Sequence, residues 1–215
     1  MNKKISVIFD MDGTLLDTQR IYIPAWEYAG KIQGITGVGE CIYHVAGMNE
    51  DGWSDYLLKK YEQMDLDIFK EDMKEYIVKN GKLKFKEGAI ELINYLKENG
   101  VKIAVASGSS KEVIKNYFKL LSVTDLFDVI VGGDDVENGK PAPDIFIKAA
   151  QELGVSESCC FVFEDSKNGI KAGYDAGMKC IGVPDIVSFD DSAREMMFAE
   201  ISKLSEGVEI LKKFI

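Results

Sequence analysis

Short apolar segments alternate with amphipathic segments along most of the chain, and this alternation constrains the possible folds most strongly. The apolar segments, rich in β-branched and aromatic residues, lie at 5–9, 101–106, 128–131, 159–163 and 178–183. Segments with helical periodicity lie at 88–99, 111–120, 144–153 and 168–176. Buried strands that alternate with helices in this way predict an open parallel sheet, and therefore an α/β, Rossmann-like fold.

One long stretch interrupts the alternation. Residues 17–83 contain three helical patterns, at 23–29, 50–61 and 67–78, but no convincing buried strand. A connection from a strand to the next helix is usually about 2–6 residues long, so this stretch is too long to be a simple loop. We therefore predict an α/β core formed by residues 1–16 and 84–215, with an α-helical domain inserted at residues 17–83.

Composition narrows the classes of partner. Among 215 residues, 46% are hydrophobic, which is enough for a full core, and the formal net charge is −10. An acidic surface repels nucleic acid and anionic lipid, so we expect neither as a partner. The opening residues do not resemble a signal peptide, and the cysteines form no C-x-x-C pair. These features favour a cytoplasmic protein with reduced thiols.

Polar residues follow four of the predicted strands. They are Asp10 with Asp12, Ser107 with Gly108 and Ser109, Lys140, and Glu164 with Asp165. Each group alone has an ordinary explanation as a turn, a helix cap or a solvent-facing side chain. Together they matter more, because the carboxyl ends of parallel strands meet at one edge of a sheet, where ligands bind.

The residue types at that edge indicate phosphoryl chemistry. Four carboxylates brought together repel one another and raise each other's pKa unless a cation compensates them, and Mg²⁺ prefers such oxygen ligands. Lys140 adds a second positive charge. Ser107, with the backbone N–H groups that follow it, can bind phosphate oxygens at the start of a helix. Carboxylates, metal, lysine and an anion cradle are the parts of a phosphoryl-transfer site.

The same residues resemble the four ordered motifs of the haloacid dehalogenase superfamily, in its β-phosphoglucomutase-like and phosphatase branch. The motifs are Asp10-Met11-Asp12-Gly13-Thr14, Ser107, Gly139-Lys140-Pro141-Ala142-Pro143-Asp144 and Glu164-Asp165-Ser166. The insertion at 17–83 is similar to the helical cap of that family. The resemblance extends from about residue 7 to residue 184.

This resemblance implies a role for each motif residue. Asp10 is expected to be the nucleophile that forms an aspartyl-phosphate, and Asp12 the general acid and base. Ser107, with Gly108 and Ser109, and Lys140 are expected to hold the phosphoryl group. The resemblance assigns Mg²⁺ to the side chain of Asp10, the backbone carbonyl of Asp12, and Asp165, with Glu164 as a ligand or an outer contributor.

The sequence of the inserted domain helps to distinguish a hydrolase from a phosphomutase. In the mutase pattern a cap loop Gly-x-x-Arg supplies an arginine for a second phosphate, whereas this chain has Gly47-Met48-Asn49-Glu50. The mutase also has a histidine where this chain has Tyr22. A carboxylate at Glu50 repels a distal phosphate, so we favour hydrolysis of a small phosphorylated metabolite, a sugar or polyol phosphate, by a monomer. The alternatives are a β-phosphoglucomutase-type phosphomutase and a catalytically silent binding module.

Substrate contacts are expected from the face of the inserted domain that covers the metal. The candidates are Tyr22, Met48, Asn49 and Glu50. Trp26 and Trp53 are further candidates, although both lie on helical patterns, where such residues are more often core residues of the domain.

Overall fold

One parallel sheet organises the chain. In the computed structural model, which describes residues 5–215, its strands are β1 (Ser6–Phe9), β2 (Lys102–Ala106), β3 (Val129–Val131), β4 (Cys160–Glu164), β5 (Lys179–Gly182) and β6 (Met197–Glu200). Their order across the sheet is β3-β2-β1-β4-β5-β6, and every neighbouring pair is parallel. The predicted α/β, Rossmann-like fold is confirmed.

Ten α-helices accompany the strands in the described part of the chain. They are α1 (Gln19–Ile32), α2 (Ile42–Val45), α3 (Glu50–Lys60), α4 (Leu66–Asn80), α5 (Ala89–Glu98), α6 (Lys111–Leu120), α7 (Asp144–Leu153), α8 (Lys167–Asp175), α9 (Asp191–Arg194) and α10 (Gly207–Leu211). Short 3₁₀ helices lie at Gly39–Cys41, Gly133–Asp135, Glu157–Cys159 and Leu204–Glu206. No helix within residues 5–215 combines the length and the apolar character needed to cross a membrane.

The sheet is buried on both faces because its strands are apolar on both. In β1, Val7 and Phe9 belong to a core cluster that includes α5 and α6, whereas Ile8 belongs to the cluster that includes α7 and α8. All three side chains are fully buried, and each such side chain stabilises the fold by about 1.5–3 kcal/mol. Phe9 also stacks on Phe163 of β4, with ring centroids 5.1 Å apart. This packing fixes the central strands that carry the polar edge.

Helices α1 to α4 enclose a separate core of their own. Trp26, Leu57 and Phe69 are buried in it, and the Trp26 and Phe69 rings meet edge to face at 5.6 Å. The chain enters and leaves this region through paired segments, since Leu16 forms a β-bridge with Phe85. The exact division between core and inserted domain stays a prediction, but the segment is helical throughout its regular structure, as the missing strand pattern indicated.

The start of one helix differs from the sequence-based expectation. Helix α1 begins at Gln19, before the predicted start at residue 23, and it continues through Pro24. Pro24 therefore lies inside the helix, although proline favours the first helical turn. The tail after β5 adds β6 at the edge of the sheet and two helices of only four and five residues.

Candidate active site

The polar residues that follow the strands lie at one edge because their strands are adjacent. Asp10 follows β1, Ser107 follows β2 on one side, and Glu164 ends β4 on the other. The backbone N–H of Asp10 continues the sheet by donating to Phe163 O at 3.0 Å. Asp10 therefore occupies the centre of the edge, between a hydroxyl and a carboxylate.

Lys140 is drawn into this centre from the loop that follows β3. Its Nζ donates to Asp10 Oδ1 at 2.6 Å, to Glu164 Oε1 at 2.7 Å and to Ala106 O at 3.2 Å. Burial lowers the pKa of Lys140, but attraction to Asp10 and Glu164 outweighs it, so the pKa lies above its ordinary value. The ammonium group is thus a fixed, fully donating cation.

The pKa of Asp10 lies far above the ordinary value of a carboxyl group. Burial, with a smaller contribution from the charges of Glu164 and Asp12, raises the pKa of Asp10 to about 8, although Lys140 opposes this shift. Its second oxygen, Oδ2, is buried and has no hydrogen-bond partner among the described residues. An unpartnered carboxylate oxygen in a buried site is costly, so this atom is a natural place for a cation or a ligand.

Asp10, Glu164 and Asp165 form an acidic cluster in which one oxygen from each lies within 4.8 Å of the others. Burial, and then the charges of Glu164 and Asp10, raise the pKa of Asp165 well above its ordinary value. Gly13 makes room for this cluster: it has φ of +90°, and a Cβ there would lie 2.1 Å from Asp165 Oδ2. The glycine of the first motif is therefore required by both backbone conformation and space.

Glu164 has less freedom than its neighbours in the cluster. Its Oε1 accepts from Lys140, and its Oε2 accepts from the backbone N–H of Ser166 at 2.7 Å and from Ser166 Oγ at 2.9 Å. A carboxylate with both oxygens engaged positions Lys140. Its role as a direct metal ligand stays a prediction.

Asp12 is held by three hydroxyl groups instead of a cation. Thr18 Oγ1 donates to Oδ1 at 2.8 Å, while Ser107 Oγ and Ser109 Oγ each donate to Oδ2 at 2.9 Å. Burial raises the pKa of Asp12, and these hydrogen bonds partly oppose the shift. Two carboxylates two residues apart thus have different surroundings, an arrangement that can give two carboxyl groups different chemical roles.

The loop between α2 and α3 closes over this edge. Carbonyl O of Ala46 accepts from Asn168 Nδ2 at 3.1 Å. A Cβ at Gly108 would lie 2.5 Å from the carbonyl oxygen of Met48, so the two backbones touch. Asn49 lies in the same loop: its side chain accepts from the backbone N–H of Gly52 and so caps α3, and its contact with a substrate stays a prediction.

A cavity of about 160 Å³ runs from Asp10 and Asp12 into the inserted helices. Tyr22, Met48 and Glu50 line it, as do Gly108 and Ser109. Lys140 and Ser107 lie behind this surface and contact Asp10 and Asp12 from the core side. Some of the predicted residues therefore form the wall of the cavity, and others hold Asp10 and Asp12 in position from behind it.

Tyr22 and Glu50 have partners that the sequence did not indicate. The Tyr22 hydroxyl lies 2.9 Å from the Tyr117 hydroxyl of α6, so it joins the insertion to the core. Glu50 Oε1 lies 2.6 Å from Lys70 Nζ of α4. Both contacts cross long stretches of chain, and no motif or periodicity marks them.

Two further residues support Asp12 and were missed at the sequence level. Thr18 precedes α1 as its N-cap, but its hydroxyl donates to Asp12 instead of to the helix. Gln19 lines the cavity, and its Nε2 donates to the Asp12 carbonyl at 3.4 Å. Their position four and five residues after the end of the first motif, at the start of the next helix, was the available signal.

Comparison with known proteins agrees with these motifs. The model of the family described as haloacid dehalogenase-like hydrolase matches residues 7–183. A protein of Drosophila melanogaster named "Probable pseudouridine-5'-phosphatase" is 34% identical over 197 residues, covering 86% of this chain and 84% of its own.

A protein of Thermotoga maritima named "Phosphorylated carbohydrates phosphatase" is 30% identical over 214 residues, covering 98% of this chain and 99% of its own. The crystal structure of a hydrolase from Pseudomonas syringae superposes with a TM-score of 0.83 at 24% identity, covering 98% of this chain and 99% of that chain. At that identity the solved structure establishes the fold alone.

Proposed function

The chain belongs to the haloacid dehalogenase-like hydrolases, and on this premise we propose that it hydrolyses a small phosphorylated metabolite through a phosphorylated Asp10, with Mg²⁺ as its cofactor. The observation that carries the proposal is the contrast between Asp10 and Asp12. Asp10 has an ammonium partner and one oxygen without a partner, whereas Asp12 is held by hydroxyl groups alone.

In the first step Asp10 attacks the phosphorus atom of the ester. A bond forms between an Asp10 carboxylate oxygen and phosphorus, and the bond from phosphorus to the alcohol oxygen breaks. Asp12 donates its proton to that oxygen, which leaves as the free alcohol. Burial raises the pKa of Asp12, and this is the direction that the role of an acid requires.

In the second step water releases the phosphate. Asp12, now a carboxylate, accepts a proton from the water as the water oxygen attacks phosphorus, and the bond between phosphorus and Asp10 breaks. Inorganic phosphate leaves, and both aspartates return to their initial states. Lys140 compensates negative charge on Asp10 throughout. The proposed phosphoryl cradle is Ser107 with the Gly108 and Ser109 backbone, and it requires the Ser107 hydroxyl to exchange its contact with Asp12 for a phosphoryl oxygen.

The residues at the edge fit a divalent cation. Asp10 and Asp165 offer buried oxygens in one cluster, and Asp10 Oδ2 lacks any partner among residues 5–215. The Asp12 carbonyl completes the predicted set of protein ligands, which are all oxygens as Mg²⁺ prefers. When bound, Mg²⁺ supplies positive charge that lets an anionic phosphate approach the carboxylates.

The substrate class follows from the relatives' names and from the cavity. One relative is named for phosphorylated carbohydrates and another for a pseudouridine phosphate. We propose a sugar or polyol phosphate with a single phosphate group. Hydrolysis is favoured over phosphomutase activity because Glu50, at the position of the mutase arginine, lines the cavity and cannot attract a second phosphate.

The experiment is phosphate release from a panel of phosphate esters with Mg²⁺, comparing the wild type with Asp10→Asn. Release that requires Asp10 supports the proposal. Absence of free phosphate from every ester, with glucose 6-phosphate formed from β-glucose 1-phosphate once a bisphosphate is added, would establish the mutase alternative instead.

A further inference from the structure

The cavity between the inserted helices and Asp10 has one wall that is predominantly apolar and aromatic. Its far side is formed by large apolar side chains: Trp26, Ile42, Met48, Trp53 and Met73. The Trp26 and Trp53 rings lie 5.3 Å apart and are tilted by 54°. This wall faces the space that the alcohol part of the ester must occupy, since Asp10 and Asp12 define where the phosphoryl group lies.

Such a wall discriminates among alcohols. A free sugar that loses the hydration of its hydroxyl groups against tryptophan and methionine gains few hydrogen bonds in return, which is unfavourable. A flat apolar or aromatic group gains burial and ring contacts on the same surface. The cavity, at about 160 Å³, is small compared with ordinary ligand pockets of about 300–1,000 Å³, so a single flat ring on the sugar is favoured over two fused rings.

The charges around the cavity disfavour a second phosphate on the leaving group. Of the described residues that line it, none is a lysine or an arginine, and its charged members are Asp10, Asp12 and Glu50. The nearby Lys70 is engaged by Glu50 at 2.6 Å and lies over the Trp53 ring, 5.4 Å from its centroid. A second phosphate on the leaving group would therefore meet a carboxylate and aromatic rings.

We infer that the substrate is a sugar monophosphate that carries a single flat, uncharged ring, of the kind found in a pyrimidine nucleoside monophosphate. That ring would lie against the apolar wall, in contact with Trp53. This inference rests on the proposed phosphatase function and deepens it. Trp26 and Trp53 serve both as core residues of the inserted domain and as the surface that selects the alcohol.

The test uses three compounds that each carry a phosphate ester on the primary 5-hydroxyl of a ribose: ribose 5-phosphate, uridine 5'-monophosphate and uridine 3',5'-bisphosphate. Because the broken bond is the same, differences in kcat/KM report recognition of the rest of the molecule. We expect uridine 5'-monophosphate to exceed ribose 5-phosphate by about tenfold or more, chiefly through KM. The bisphosphate should fall below the monophosphate by about tenfold.

Substitutions in the apolar wall test whether it causes the preference for uridine 5'-monophosphate. Trp53→Leu, and separately Met73→Gln, should reduce the advantage of uridine 5'-monophosphate over ribose 5-phosphate several-fold. Tyr28→Leu is the matched control, because Tyr28 is a cap aromatic that packs on Tyr76 and lines no part of the cavity. It should leave the ratio unchanged. Thermal melts of each variant report whether it is folded.

The outcomes separate the two proposals. Ribose 5-phosphate turned over as well as or better than uridine 5'-monophosphate would overturn the inference and leave the phosphatase function standing. A ratio that is unchanged in both wall variants would overturn the assignment to Trp53. If the wild type released phosphate from no ester at all, the proposed function itself would fail, and the inference with it.

Discussion

The Lys140 ammonium group lies 2.6 Å from Asp10 Oδ1, although 130 residues separate the two in the chain, and it also contacts Glu164 at 2.7 Å. All three side chains are almost completely buried. The lysine is therefore the charge that allows two carboxylates to share a dry site.

Replacing Lys140 with methionine should damage both catalysis and stability. We expect kcat to fall by about 10²–10³-fold, the size of losing one preorganised electrostatic contact. The metal-free protein should lose about 3–5 kcal/mol of unfolding free energy, because two buried carboxylates lose their partner. Phosphate release and urea denaturation measure the two effects.

The matched control is Lys111→Met, which breaks a partly exposed ion pair with Asp135 at 2.7 Å. It should cost about 0–1 kcal/mol and leave kcat unchanged. Wild-type kcat in Lys140→Met would contradict the role given to this lysine.

The metal-free protein should become less stable as pH rises. The pKa of Asp10 is about 8 in the folded chain, against an ordinary value of 3.8. The folded state therefore binds more protons than the unfolded state between these values, and stability falls as pH rises from about 4 to 8. Subtracting the profile of Asp10→Asn isolates this contribution in thermal melts.

Magnesium should reverse that trend, since ligand carboxylates must be deprotonated to bind it. We expect its affinity to increase from pH 6 to pH 8, with protons released on binding, as measured by calorimetry in buffers of different ionisation enthalpy. Pre-treatment with excess chelator should abolish phosphate release. Full turnover in chelator would contradict the metal requirement.

The hydroxyl contact between Tyr22 and Tyr117 should favour the closed arrangement of insertion and core. Tyr117→Phe removes one hydroxyl and leaves the other buried without this partner, which costs about 1 kcal/mol. We expect kcat/KM to fall about fivefold, with little further loss when Tyr22→Phe is added. Tyr174→Phe, at an exposed position on α8, is the control. Additive losses in the double variant would show that the two hydroxyls act independently.

Charge at Glu50 should decide tolerance of a second phosphate. Glu50→Arg replaces a carboxylate on the cavity wall and also releases Lys70 from its partner. We expect KM for a hexose 1,6-bisphosphate to fall about tenfold, while KM for the corresponding monophosphate changes less. The control is Glu71→Arg, an exposed residue of α4 that does not line the cavity. An equal effect of both variants would mean that only overall charge matters.

The sheet and its edge could be predicted because their physical causes are local. Buried parallel strands must be apolar on both faces, so segments such as 5–9 and 101–106 are readable, and residues at successive strand ends converge by topology alone. The position of Asp10 between Ser107 and Glu164 follows from β1 lying between β2 and β4.

Contacts that depend on side-chain direction could not be read in this way. Thr18 and Asn49 both precede helices, where either is a favoured cap, yet only Asn49 caps its helix while Thr18 donates to Asp12. The local sequence does not distinguish these outcomes, because they depend on what the fold brings near each hydroxyl or amide. The Tyr22–Tyr117 and Glu50–Lys70 contacts are of the same kind.

The most direct test of the central claim is to trap the phosphoryl group on Asp10. In Asp12→Asn the nucleophile remains, but the group that protonates the leaving oxygen and then activates water is lost. Phosphorylation should therefore be slow and hydrolysis slower still, so that phosphorylated protein accumulates. Mass spectrometry of acid-quenched protein after exposure to substrate and Mg²⁺ should find a phosphoryl group on the peptide containing Asp10, and none in Asp10→Asn/Asp12→Asn. Normal multiple turnover by Asp12→Asn, with no phosphorylated Asp10 at any time, would contradict the account.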